Sequence, residues 1–243
     1  QIVFYRSLIG LLIVVALFKR SLPKLTLKIL KKHFYRNLSH LVGQYGWIIG
    51  IIYLSLSEVT AIEFTAPVWV IIIASIFLKE KITRIKVISI ILCLLGVFVI
   101  LKPGSDVFTV NSLIVLASAI SYSITHVLTK TIVQSSSPLE LIFIMCLTQT
   151  PISFFFAISD WETPLFYDYF WLILIGISAL AAHFSLAKAF KENKISDLIV
   201  LDYLRLPILS LAGILIYNES FSLSLLLGGS IILIGNYLNA NFT

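Results

Sequence analysis

Ser55-Leu-Ser-Glu-Val-Thr-Ala-Ile-Glu-Phe-Thr-Ala-Pro67 and Lys194-Ile-Ser-Asp-Leu-Ile-Val-Leu-Asp-Tyr-Leu-Arg-Leu-Pro207 share one pattern: a serine and an acid, a second acid five residues on, then a proline. At an offset of 139, Ser57-Glu58 falls on Ser196-Asp197, Glu63 on Asp202, Glu80 on Glu219 and Gly96 on Gly235, while Pro67 and Pro207 miss each other by one. Each apolar run of residues 2–101 then has a counterpart in 141–239.

The runs themselves set the class. Apolar residues make up 59% of the 243 and charged residues 12%, half the share of an ordinary globular chain. Mean hydropathy is +1.01. This excludes a soluble or disordered protein, and two cysteines in apolar runs, Cys93 and Cys146, exclude a disulfide scaffold. A bilayer core of ~30 Å takes about 20 helical residues. Nine stretches qualify, near 2–18, 38–57, 60–78, 85–101, 111–131, 139–158, 169–187, 196–216 and 221–239. Their continuous Leu, Ile and Phe lack the alternation of a membrane barrel, so the expected fold is an all-α polytopic membrane protein.

Charge gives the orientation. If the connector holding Lys19, Arg20, Lys24, Lys28, Lys31, Lys32 and Arg36 is cytoplasmic, alternating the spans puts Lys79, Lys81, Arg84, Lys86, Lys130, Lys188, Lys191 and Lys194 on the same face. That is 15 of the 18 basic residues; the other face has Lys102 with Glu58, Asp106, Asp160, Glu162, Asp168 and Glu219. The positive-inside rule is obeyed throughout and places the C-terminus in the cytoplasm, in a bacterial inner membrane. The net charge of +6 therefore reports topology, and no nucleic-acid partner is expected.

The 139-residue offset crosses five spans, an odd number, so the second copy is expected upside down. Lys79-Glu80-Lys81 is basic where Asn218-Glu219-Ser220 has no cation, in keeping with inversion. Inverted repeats are a mark of secondary transporters. Residues 1–105 and 106–243 are read as the two repeats. Span 111–131 lacks a counterpart and the chain opens on Gln1, so a first helix is expected to be missing from a full set of ten.

Ser55 to Pro67, the helix ending in Leu78-Lys-Glu-Lys-Ile82, Leu95-Gly96-Val97 and Lys102-Pro103-Gly104 resemble the EamA family of the drug/metabolite transporter superfamily. Phe4-Tyr5-Arg6 looks like that family's second helix and Asp202 to Pro207 like its ninth. The resemblance covers nearly the whole chain. It implies a ten-helix carrier of small metabolites such as amino acids, amines, carboxylates or nucleotide-like solutes.

Ionised groups inside the bilayer cost of order 3 kcal/mol each on insertion scales and mark sites. At ~1.5 Å per residue, Arg6 and Glu63 lie ~20 and ~24 Å from the basic surface, and Asp202 and Arg205 ~12 and ~16 Å from it. Arg6 and Glu63 share a height at which they could pair or share a ligand; Asp202 and Arg205, at i, i+3, could pair locally. Pro67 and Pro207 interrupt the two related helices, which points to a cavity. Polar stripes Asn37, His40, Gln44, Trp47 and Ser118, Tyr122, His126, Thr129 turn inward. Gly43, Gly46 and Gly50 read as a close helix contact. His40, His126 and His183 fall in the inner third and are candidates for a proton relay, against satisfied helix-to-helix hydrogen bonds. Tyr45, Phe64, Trp69, Phe184 and Tyr203 are candidates for an aromatic wall or a cation seat, against lipid-facing or core packing, and Trp161 and Trp171 fit the outer interface.

No phosphate loop, HExxH or GxSxG occurs, so no enzyme, metal or cofactor is expected. The expected function is secondary transport of a charged small solute, an amino-acid, amine or nucleoside-like compound such as S-adenosylmethionine, at a site of Arg6, Glu63, Asp202, Arg205, Tyr203 and Gln44. A passive channel and a non-transporting scaffold are the rivals, and a homodimer is left open. With Cys93 and Cys146 replaced, single cysteines at positions 80 and 219 should react with an impermeant thiol reagent from opposite sides of the membrane; reaction from one side contradicts the inversion.

Overall fold

The computed structural model describes residues 1–18, 26–101, 109–217 and 223–242. Lys19, Arg20, Lys24, Lys102 to Gly104, Asp106 and Asn218 to Ser220 lie outside them. Among the described residues every regular element is helical: α1 Ile2–Phe18, α2 Leu27–Tyr53, α3 Leu56–Glu63, α4 Ala66–Phe77, α5 Arg84–Leu101, α6 Val110–Val133, α7 Pro138–Ala157, α8 Asp168–Glu192, α9 Ile195–Leu198, a 3₁₀ segment Ile199–Leu204, α10 Arg205–Tyr217 and α11 Leu223–Phe242. Six stretches of the described residues are long and apolar enough to cross a membrane: Glu58–Phe77, Arg84–Leu101, Val110–Val133, Pro138–Ala157, Asp168–Glu192 and Leu223–Asn241. Ile2–Phe18 is a shorter apolar helix. This is an integral membrane protein.

Two helices depart from the apolar runs. α2 begins at Leu27, not near 38, because Leu27-Lys-Ile-Leu-Lys-Lys combines strong helix formers with an amphipathic pattern that hydropathy alone does not register. It stops at Tyr53, and Ser55 opens α3 as N-cap: its hydroxyl accepts from the Glu58 N–H while the Glu58 carboxylate accepts from the Ser55 N–H. α3 lasts only eight residues. Thr65 donates its hydroxyl to Ile62 O at 2.6 Å, and Pro67 stands in the first turn of α4, where its missing N–H is no loss. The other interruption is the 3₁₀ segment, which passes into α10 two residues before Pro207.

The chain forms two compact units, Gln1–Leu41 with Leu128–Glu192, and Val42–Val127 with Asn193–Thr243. In the first, α1 packs on α7 and α8. Phe4 meets Phe154 and Trp161 at 5.3 and 5.6 Å between ring centroids.

In the second unit α5 packs on α11. A Cβ on Gly96 would lie 2.6 Å from the Gly228 carbonyl oxygen and 2.7 Å from Ile232, and one on Gly235 would lie 2.9 Å from the Ser89 carbonyl oxygen and 2.7 Å from Cys93 Sγ. As residue numbers rise along α5 they fall along α11, so the two helices run antiparallel. Shifted by 139, the Gly96 contacts become the Gly235 contacts, and Cys93 and Ile232, which touch directly, are 139 apart. Gly43 and Gly46 lie against Tyr122 and Ser118, and Ser118 donates to the Gly43 carbonyl, so the glycine stripe of α2 is a close contact with α6.

Backbone atoms cannot yield as side-chain ends do, so Gly96→Ala should destabilise the protein by ~1–3 kcal/mol. Gly229→Ala, whose added methyl would lie 3.8 Å from the Pro207 side chain, should leave the melting temperature in detergent unchanged or raise it, since alanine is the better helix former. Equal melting of both variants with wild type would remove the α5–α11 contact as a stability determinant.

Candidate substrate site

Each helix interruption in the second unit carries charge. Glu63 is the last residue of α3, Asp202 lies in the 3₁₀ segment, and Arg205 is the first residue of α10. Arg205 Nη2 donates to Glu63 Oε1 at 2.9 Å and stands 3.7 Å from Asp202 Oδ2. Thus the local i, i+3 pair exists, but Glu63, 142 residues away, is the closer partner. Trp47 of α2 donates its indole N–H to the other Glu63 oxygen at 3.0 Å. Two carboxylates share one guanidinium, so the cluster has a formal charge of −1. The side chains remain accessible, 42% for Arg205 and Asp202 and 21% for Glu63.

An aromatic floor adjoins them. Phe64 and Tyr203 stack with centroids 5.8 Å apart and planes 17° apart, and both are buried. They too are 139 residues apart. Arg205 Cζ lies 5.1 Å above the Phe64 ring, within cation–π range. The Tyr203 hydroxyl is buried without a hydrogen-bond partner among the described residues. Gln44 is buried on α2 one turn before Trp47, in the same unit as the triad. Position 126, on α6, also falls in this unit.

A second polar group of the same unit surrounds the first turn of α9. Lys79, two residues beyond α4, has φ 56°, a left-handed conformation that turns the chain back. Glu80 then accepts from the N–H groups of Ile195 and Ser196 at 3.2 and 3.1 Å and from the Ser196 hydroxyl. Lys86, buried in the first turn of α5, donates to the Ser196 hydroxyl at 2.8 Å and to Asp197. Composition counted Lys86 only as one more basic residue; its place as the last charge before the apolar run of α5 was the available signal.

The remaining candidates lie in the first unit. Arg6 lines a small cavity with Ser7, Gly10, Cys146, Gly176 and Leu180. Glu63, for which a similar height is expected, lies in the second unit, where it accepts from Arg205. His40 and His183 meet edge to face at 5.0 Å, and His40 Nδ1 hydrogen-bonds Gln149 Nε2 at 2.7 Å. Arg36, read as a connector residue, is buried on α2 and donates to Thr129 at 3.2 Å and to Asn37 at 3.2 Å. Asn37 reaches Thr148 at 2.8 Å. These bonds satisfy a polar seam between helices.

Comparison with known proteins agrees with this architecture. The profile of the EamA-like transporter family matches residues 1–102 and 110–240. An S-adenosylmethionine uptake transporter of Rickettsia bellii is 28% identical over 201 residues, 83% of this chain and 69% of its own length. A riboflavin transporter of Vibrio cholerae is 26% identical over 205 residues, covering 83% and 68%. A protein of known crystal structure superposes on 100% of this chain and 88% of its own with a TM-score of 0.87; at 16% identity that likeness concerns the fold alone.

Proposed function

The chain belongs to the EamA-like transporter family, and from that premise we propose that it is a secondary carrier whose two inverted repeats exchange access to a charged site at the helix interruptions. It is a transporter of small metabolites and not an enzyme. Residues 1–105 and 106–243 are the proposed repeats of a ten-helix scaffold, with nine of its helices in this sequence. The C-terminus lies in the cytoplasm and the host membrane is a bacterial inner membrane, in keeping with the distribution of Lys and Arg.

The single observation that carries the reading is the triad of Glu63, Asp202 and Arg205. The sequence offset equates Glu63 with Asp202, and both carboxylates face one guanidinium. Further support comes from the antiparallel course of α5 and α11 and from the exchange of their contacts under the same offset. An element and its counterpart that run in opposite directions are what an inverted duplication requires. If one repeat closes over the site as its inverted twin opens, the solute is exposed to each side in turn.

Glu63, Asp202, Arg205 and Tyr203 are the proposed substrate contacts, with Gln44 on the same unit; Arg6 is a separate candidate contact in the first unit. A solute carrying both signs of charge suits them, and S-adenosylmethionine is the preferred cargo over the neutral isoalloxazine of riboflavin. His40 and His183 are the proposed place for a coupled proton, with His126 a third candidate.

Reconstituted into liposomes preloaded with unlabelled S-adenosylmethionine, the protein should drive saturable counterflow of labelled S-adenosylmethionine above its equilibrium level. Flux that rises linearly with concentration and shows no counterflow would identify a pore, and absence of flux would remove this cargo.

A further inference from the structure

Fixed and movable parts of the triad differ. Phe64 is held by its stack on Tyr203, both buried, and Glu63 is held by the Trp47 indole N–H. Arg205, in contrast, reaches them from the first residue of α10 on a long side chain that is 42% exposed. An aromatic face with a carboxylate at its edge is the recognition chemistry of an onium ion, an ammonium or sulfonium. In this protein a guanidinium sits in that seat, 5.1 Å above Phe64 and 2.9 Å from Glu63. Among the described residues no other cation pairs with Glu63 or Asp202.

We propose that Arg205 is a tethered stand-in for the substrate's cationic centre, which fills the seat of Glu63, Asp202 and Phe64 when the carrier is empty and withdraws when an onium group enters. The inference rests on the carrier reading above and narrows its cargo to solutes with a cationic centre. It also supplies a reason for a net charge of −1: one monovalent onium brings the occupied site to neutrality. Unloaded, the seat never leaves both carboxylates bare within the membrane, so the empty carrier can reorient. Loaded, the displaced guanidinium is available to an anionic group on the same solute, which an amino-acid moiety provides.

A binding titration with a probe lacking any anionic group isolates the seat. Trp47 serves as reporter, with Trp69, Trp161 and Trp171 changed to Phe, and tetramethylammonium is the probe. Arg205→Ala should bind tetramethylammonium about tenfold tighter than the parent or better, because the tethered competitor is gone. Glu63→Gln added to Arg205→Ala should abolish that gain, and neutral 3,3-dimethylbutanol should show no difference between the proteins. Equal or weaker binding by Arg205→Ala overturns the proposal. Should the alanine variant aggregate, the parent decides: tetramethylammonium must shift Trp47 emission saturably while the neutral alcohol does not, and no shift overturns it. Binding of the probe does not depend on transport, so a seat without counterflow would defeat the carrier reading and leave the seat standing, whereas counterflow without a seat would do the reverse.

Discussion

Ionised side chains cannot be left alone at membrane depth, and that constraint organises the second unit. Glu63 lies inside the span Glu58–Phe77, where an isolated carboxylate would cost a few kcal/mol. Its oxygens are taken up by Arg205 on one side and the Trp47 indole on the other. Since Arg205 starts α10 and Trp47 lies on α2, satisfying one carboxylate ties three helices together.

The helix interruptions follow from the same need. An unbroken helix projects side chains at fixed intervals, whereas the stop after Glu63 and the 3₁₀ segment before Arg205 let two segments far apart in the sequence present their charged residues to one point. Local chemistry builds these stops. The Ser55 capping box starts α3, Thr65 takes up the Ile62 carbonyl, and Pro67 begins α4. A short polar clasp at Glu80, Lys86, Ser196 and Asp197 fixes the short helix α9, which leads into the second interruption.

Much of this was legible in the residues. Hydropathy located the long apolar helices, and Pro67 and Pro207 marked both interruptions, because proline's missing N–H is a local fact that tertiary packing does not override. The pairing of Asp202 with Arg205 followed from their spacing. Partner choice over long separations was not legible: depth is one coordinate of three, and nothing in the spacing pairs Glu63 with Arg205, 142 residues on. The Phe64–Tyr203 stack was hidden for the same reason, although their separation equals the repeat offset. Lys86 and Arg36 were hidden by composition, which reads every lysine and arginine near a helix end as exposed, while the structure buries Lys86 against the Ser196 hydroxyl and the Asp197 carboxylate, and Arg36 against the Thr129 hydroxyl and the Asn37 amide.

A double-mutant cycle on Glu63→Gln and Arg205→Gln, read as thermal stability in lipid nanodiscs, tests the pairing on which the rest depends. A coupling of about 1 kcal/mol is expected, modest because the guanidinium is partly exposed. Additivity of the two substitutions to within about 0.3 kcal/mol would mean that the carboxylate and the guanidinium do not sense each other.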